Sequence, residues 1–194
     1  NNYYITAATP YASSLDILKN KFPESYIDVG MAEQHLVGIA AGISLKGFVP
    51  NIFVQSTFLQ RSYDQIIHDL AYMNLKVNIF SVRSGFSGMD SPTHHAIFDL
   101  TLLPSIPNVE VIFPASIKRV EDITRKVIHS KSVKTTIVLL PYFPTSVETE
   151  NLIDSEYSVL ENIGLFKDHK EKTLIITTSN SNNYMLEIVR EFRS

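Results

Sequence analysis

The chain has 194 residues, 44% hydrophobic and 19% charged, an ordinary globular composition that can bury a core without staples. Seventeen Lys and Arg against twenty Asp and Glu leave a formal charge of -3, which argues against a general nucleic-acid or anionic-membrane surface. There is no cysteine, so disulfide frameworks, thiolate metal sites and cysteine nucleophiles are excluded, and a reducing, cytoplasmic setting is expected.

No apolar run reaches the roughly 18 residues of a membrane-spanning helix. The opening NNYYITAATP has neither a basic region nor an apolar core, so no signal peptide is expected. Along the chain, a β-branched run at 3–6 precedes a helical stretch at 13–22. A strand at 26–29 leads into a helix at 31–46, and a strand at 51–56 into a helix at 58–73. Strands follow at 77–83 and 110–113, then a helix at 117–130 and a strand at 136–140. This alternation predicts an α/β fold, a doubly wound and mainly parallel sheet. The strands VNIFSV and TIVLL are nearly continuous apolar runs, as parallel strands covered on both faces should be.

The composition shifts at 144–158, which is polar and acidic and reads as a linker after a first domain at 1–143. Residues 159–194 hold one further strand (173–178) and one helix (184–192). A single strand–helix unit cannot bury its own apolar faces, so it reads as the start of a second, C-terminal α/β domain.

Ligands of open parallel sheets bind at the carboxyl ends of the strands, and three such tips carry unusual residues. The first is DVGMAEQHLVGIAAGISLKG, whose helix has Glu33 as its only acid and Lys46 as its only Lys or Arg. Such a helix reads as buried, at an interface where Gly38, Ala40, Ala41 and Gly42 allow close approach. Glu33 is either a cap at the third helical position or a working carboxylate, because burying an unpaired charge is costly. His35 reads as a satisfied core histidine. The second tip carries Phe58, then Arg61, Asp64, Gln65 and His68 on one helical face. Arg61 either binds an anion with its planar donors or pairs with Asp64 on a solvated face. The third tip, SVRSGFSGMDSPTHHAIFD, brings Arg83, Asp90, His94 and His95 into one loop with Gly85, Gly88 and Pro92. It is either an ordinary crossover or a site that binds phosphate and moves protons. There is no GxGxxG, P-loop, GxSxG or HExxH motif, which disfavours a plain flavodoxin-like nucleotide binder.

Taken together, YIDVGMAEQHLVGIAAGISLKGFVP, STFLQRSYDQIIHDL, MDSPTHHAIFDLTLL and IPNVEVIFPAS resemble the pyrimidine-binding domain of the transketolase superfamily. Within it they are most similar to the 1-deoxy-D-xylulose-5-phosphate synthase branch, through AEQH with FLQRxYDQxxHD. The resemblance runs from about residue 5 to 140, and the tail resembles the start of that superfamily's third domain. It implies a thiamine diphosphate enzyme, in which the protein orients the cofactor and tunes its protonation. Carried over, Glu33 is the acid that hydrogen-bonds the aminopyrimidine nitrogen, and Phe58 contacts that ring. Arg61 lies near the substrate, Arg83 binds the acceptor's phosphate, and Asp90 and His94 belong to the substrate site, His94 handling protons. Glu33 and His94 are thus the implied catalytic pair. The implied reaction decarboxylates pyruvate and transfers its acyl unit to glyceraldehyde 3-phosphate, a step towards isoprenoids.

This chain departs from the family at four places. Gln55 stands where the synthase usually has Tyr, and Val82–Arg83 where it has Asp–Arg. Asp90-Ser91-Pro92-Thr93-His94 stands where it reads DGPTH or similar, and in LLPYFPTS, which replaces a YPRG-like motif, Tyr142 or a neighbour stands for the second phosphate-binding arginine. There is also no GDG motif, so Mg2+ and the diphosphate are expected on a domain or subunit outside this chain, and the chain by itself is expected to be inactive. A homodimer or heteromer acting on small molecules, without nucleic acid, membrane or a metal of its own, is expected. Two other readings stand beside this one: a related enzyme or split-enzyme subunit for a different ketose, aldehyde or 2-oxo acid, and a non-catalytic dimerisation or regulatory paralogue.

Overall fold

The structure is a computed structural model and describes residues 2–11, 15–86, 92–114 and 117–142. The predicted linker and C-terminal domain, with their strand and helix, lie outside these residues. So do Asp90 and Gly88 of the third tip.

Six strands form one all-parallel sheet: β1 (Asn2–Thr6), β2 (Tyr26–Asp28), β3 (Val49–Gln55), β4 (Asn78–Ser84), β5 (Val109–Ile112) and β6 (Thr135–Pro141). Their order is β2-β1-β3-β4-β6-β5, so chain direction across the sheet reverses between β1 and β3. Strands β3, β4 and β6 are interior and alternate strictly. Ile52, Val54, Ile79, Ile137 and Leu139 enter one core, while Phe53, Phe80, Val138 and Leu140 enter the other. A two-residue period with both faces apolar is what a doubly covered sheet requires.

The larger core is closed by α2 (Glu33–Leu45) and by a helical run that starts as α3 (Ser56–Leu59). The opposite face carries Phe53 stacked on Phe80 at 4.7 Å, closed by α6 (Ile117–His129) through Val127 and Ile123. A short α1 (Asp16–Lys21) precedes β2, and residues 13 and 14 of the predicted helix lie outside the described residues.

The helix expected at 58–73 differs in two ways. It begins at Ser56, directly off β3, and it is not one α-helix. After α3 come a 3-10 turn (Gln60–Ser62), one turn of α-helix, α4 (Tyr63–Gln65), and a π-helical segment (Ile66–Ala71). The Ser62 hydroxyl donates to the Leu59 carbonyl at 2.9 Å, a local bond that competes with the helical ladder. The tight turn and the wide segment offset each other in phase, so Leu59, Ile66, Leu70 and Ala71 are all buried. A further short helix, α5 (Asp99–Leu102), was not signalled by periodicity.

One other expectation is corrected. Within this chain, Leu36, Val37, Ala40 and Ala41 of α2 face the sheet, while Gln34, His35, Gly38, Gly42 and Leu45 are exposed. His35 is therefore a surface residue and not a core histidine. The helix is apolar or small almost all round, so its sequence did not mark which side would face outwards.

Candidate functional site

The tip of β2 shapes the entry into α2. Asp28 accepts from the Ala8 N–H at 2.9 Å and from the Gly30 N–H at 3.0 Å, tying the ends of β1 and β2 together. Gly30 has a φ of +69°, a left-handed conformation that any other residue would adopt under strain. The chain then turns sharply, with the Ala32 N–H on the Gly30 carbonyl at 2.8 Å. This places Glu33 at the first position of α2 and not the third, so it is not the capping residue the sequence also allowed. The N-cap is Ala32, with no side-chain cap.

Glu33 is 3% exposed, and its Oε2 accepts from Arg61 Nη1 at 3.3 Å. Arg61 itself is largely exposed and comes from the 3-10 turn. The sequence allowed an Arg61–Asp64 pair; the structure pairs Arg61 with Glu33 instead. Asp64 lies 4.0 Å from His68, both well exposed. Because the turn breaks α-helical spacing, Arg61 leaves the face that Asp64 and His68 share.

Phe58, on α3, packs edge-on against His94 with ring centroids 5.6 Å apart. The segment carrying His94, a 3-10 turn at Pro92–His94, is anchored where Thr57 Oγ1 donates to the Thr93 carbonyl at 2.9 Å. Thr93 Oγ1 also lies 3.0 Å from His94 Nδ1. A bridge between Gly85 and Ala96 closes the loop further back, with the Ala96 N–H on the Gly85 carbonyl at 3.0 Å. With the Arg61–Glu33 contact, the second tip thus meets both of the others, and the ends of β3 and β4 share one wall.

Arg83 sits at the end of β4. It occupies an irregularity in the pairing of β4 with β6, between the Val82–Leu140 and Ser84–Pro141 pairs, and has a φ of +61°. A non-glycine residue held there costs of the order of 1–3 kcal/mol, a strain that concentrates at functional sites. Its guanidinium lies over the ring of Tyr142, 5.2 Å from the centroid.

Beneath these side chains runs a buried polar network that sequence reasoning missed. Asp99, 1% exposed at the start of α5, accepts from the Ser56 hydroxyl and from the Tyr63 hydroxyl, the latter at 3.5 Å. Ser84 Oγ donates to Ser56 Oγ at 3.3 Å. Burial pushes the Asp99 carboxyl above its ordinary value, and the bonds from Ser56, Ser84 and Tyr63 pull it part of the way back. Burial, followed by the Asp99 charge and hydrogen bond, raises the Tyr63 phenol. Ser56 abuts the Thr57–Phe58 pair and Ser84 abuts Arg83, so this network joins the walls of the site from below. Its one available signal was a lone acid inside the apolar string AIFDLTLL. Gln55, at the tip of β3, is 5% exposed, and its Nε2 is buried with no hydrogen-bond partner among the described residues.

Among the described residues no helix is long and apolar enough to cross a membrane. A family model described as the transketolase pyrimidine-binding domain matches residues 3–142. The chain is similar to the 1-deoxy-D-xylulose-5-phosphate synthase of Carboxydothermus hydrogenoformans, 49% identical over 64% of this chain and 19% of that protein. A second relative with the same name, from Methylacidiphilum infernorum, is 45% identical over 64% of this chain and 20% of its own length. The chain thus spans about one-fifth of these relatives. Among solved structures, one titled split gene transketolase, inactive beta4 tetramer, superposes with a TM-score of 0.63 at 26% identity, over 75% of this chain and 46% of that one. The transketolase of Leishmania mexicana superposes with a TM-score of 0.66 at 19% identity, over 75% of this chain and 23% of that one, a likeness of fold.

Proposed function

This chain belongs to the family of transketolase pyrimidine-binding domains, and on that footing we propose that it is the pyrimidine-binding part of a cytoplasmic synthase that joins a two-carbon unit from pyruvate to glyceraldehyde 3-phosphate. The observation that carries this reading is Glu33, a carboxylate 3% exposed at the start of an otherwise uncharged helix, next to a helical run that presents Phe58. A buried acceptor with a single charged contact at 3.3 Å, together with a half-buried aromatic ring, suits a flat, amino-substituted pyrimidine ring.

Glu33 would bind and orient that ring through its nitrogen, and Phe58 would contact its face. Thiamine diphosphate, when bound, supplies the carbanion chemistry at the carbonyl carbon. Arg61 orients the Glu33 carboxylate. His94, held by Thr93 and Phe58, would hold or move a proton on the substrate. Arg83 would bind the acceptor's phosphate, with Asp90 a further substrate contact. The diphosphate and its Mg2+ would be held by another domain or subunit, since the sequence contains no GDG motif. The exposed side of α2, uncharged from Gln34 to Leu45, would pack against that partner or a second copy. Residues 144–158 would be the linker to the C-terminal domain.

The test uses the full-length protein with thiamine diphosphate and Mg2+. Carbon dioxide release from pyruvate, stimulated by glyceraldehyde 3-phosphate, is expected to fall at least about a hundredfold in Glu33→Ala, as for loss of a general acid–base group. An unchanged rate in that variant overturns the role of Glu33. Gln55 and Tyr142 favour a second reading, a related enzyme with a different acceptor. Cofactor-dependent release from pyruvate that glyceraldehyde 3-phosphate does not stimulate would establish it. No turnover with any 2-oxo acid or ketose would leave a dimerisation or regulatory role.

A further inference from the structure

Arg83 lies near the end of β4 and Tyr142 directly follows the neighbouring strand β6, at the end of the sheet where ligands of parallel sheets bind. The irregularity at Arg83 takes that residue out of the ladder, between two intact pairs, and its left-handed backbone aims the side chain along a path a regular strand would not offer. Strain of this kind persists only where the surroundings over-determine it. Tyr142 supplies part of that: its ring lies beneath the guanidinium at 5.2 Å, and both residues are half-buried. A long flexible cation gains little by being merely near an anion, because ordering its side chain has an entropic cost. A guanidinium already held over a ring has met part of that cost before the ligand arrives. The contact with the ring is a cation–π contact centred on the guanidinium carbon, and the five N–H donors of a guanidinium match the oxygens of a phosphate two at a time.

We infer that Tyr142 is a positioning residue for anion recognition, its ring holding the Arg83 guanidinium in place for a phosphate monoester of the acceptor. This deepens the reading that Arg83 binds the acceptor's phosphate and rests on it. The ring face is what matters, so the phenolic hydroxyl is dispensable and an aliphatic side chain of similar bulk is no substitute.

The experiment uses the full-length protein and four forms: wild type, Arg83→Ala, Tyr142→Phe and Tyr142→Leu. Calorimetric titration of glyceraldehyde 3-phosphate and of inorganic phosphate measures binding. KM and kcat for glyceraldehyde 3-phosphate are compared with those for unphosphorylated glyceraldehyde. Tyr142→Leu is expected to weaken binding of both phosphates about tenfold, the span of a partly desolvated cation–π contact, and to raise KM for the phosphorylated acceptor alone. Tyr142→Phe is expected to stay within about twofold of wild type. Weakening in Arg83→Ala with none in Tyr142→Leu overturns the inference and leaves the Arg83 reading standing. Equal weakening in Tyr142→Phe and Tyr142→Leu overturns the ring-face argument. No change in Arg83→Ala overturns the Arg83 reading and the inference with it.

Discussion

Asp99 ranks with Glu33 among the side chains that organise this site, although it was not among the residues the sequence singled out. It is a buried carboxylate whose folded pKa lies above its ordinary 3.8, because burial outweighs the hydrogen bonds from Ser56, Ser84 and Tyr63. The folded state therefore binds the proton more tightly than the unfolded state. Its contribution to stability is fullest below 3.8, declines as pH rises from there through the raised folded value, and is level above it. An asparagine at this position cannot ionise, so Asp99→Asn should lose most against wild type at low pH, by about 1–3 kcal/mol for mismatched buried hydrogen bonds. That gap should narrow as pH rises. Urea midpoints of both forms at about pH 3.5 and about pH 8 check this through the linkage relation, and a gap that does not change with pH would refute it. The contrast with Glu33 shows what a sequence exposes. One acid in an uncharged helix stands out locally, whereas Ser56, Ser84, Tyr63 and Asp99 are ordinary singly and meet only after β3, β4 and α5 have assembled.

The strands were legible because their chemistry is local. Buried parallel strands must be apolar on both faces, and TIVLL and VNIFSV are so without reference to anything else. The helical run after β3 was not legible in detail, because the back-bond from Ser62 and the π segment that follows are settled by packing on the sheet. A polar row also crosses the strands near their starts. Asn51 pairs in register with Asn78, Asn78 with Thr136, and Thr136 with Glu110. Asn78 Nδ2 donates to Asn51 Oδ1 at 2.8 Å, and Asn51 Nδ2 donates to the Tyr3 carbonyl at 3.2 Å. In strands whose two faces are both apolar, a slip in register changes little in burial, so paired asparagines can mark the right alignment. Asn78→Leu would leave the buried Asn51 oxygen without its donor. We expect a loss of about 1–3 kcal/mol, read from thermal unfolding. Asn51→Leu combined with Asn78→Leu should recover part of that loss, since no orphan remains. A double variant less stable than the sum of the single variants would contradict the pairing.

At the scale of the domain, the sheet brings its candidate chemistry to one end, and among the described residues the outer face of α2 is left uncovered. Helix α2 starts at Glu33 and presents Gln34, His35, Gly38, Gly42 and Leu45 outwards, with no charge before Lys46. A β-carbon added to Gly38 or Gly42 would meet nothing within 4 Å, so neither glycine is needed for packing inside this domain. Neither has a backbone conformation that requires glycine, and glycine inside a helix costs about 1 kcal/mol relative to alanine. Their use is accounted for if another backbone lies against this face, the reading under which the domain meets its partner here. The same helix begins with the acid at the centre of the site, so a partner seated on it would also close the space around Glu33 and exclude water. Gly38→Ala should then be mild or stabilising for the isolated fold and Gly38→Arg disruptive for the assembly. Sedimentation of the full-length protein is expected to show loss of the larger species in Gly38→Arg. Turnover should fall with that loss, while the circular dichroism of the folded domain stays the same. If Gly38→Arg sediments as wild type does, the partner lies on another face and the exposed glycines of α2 need a different explanation.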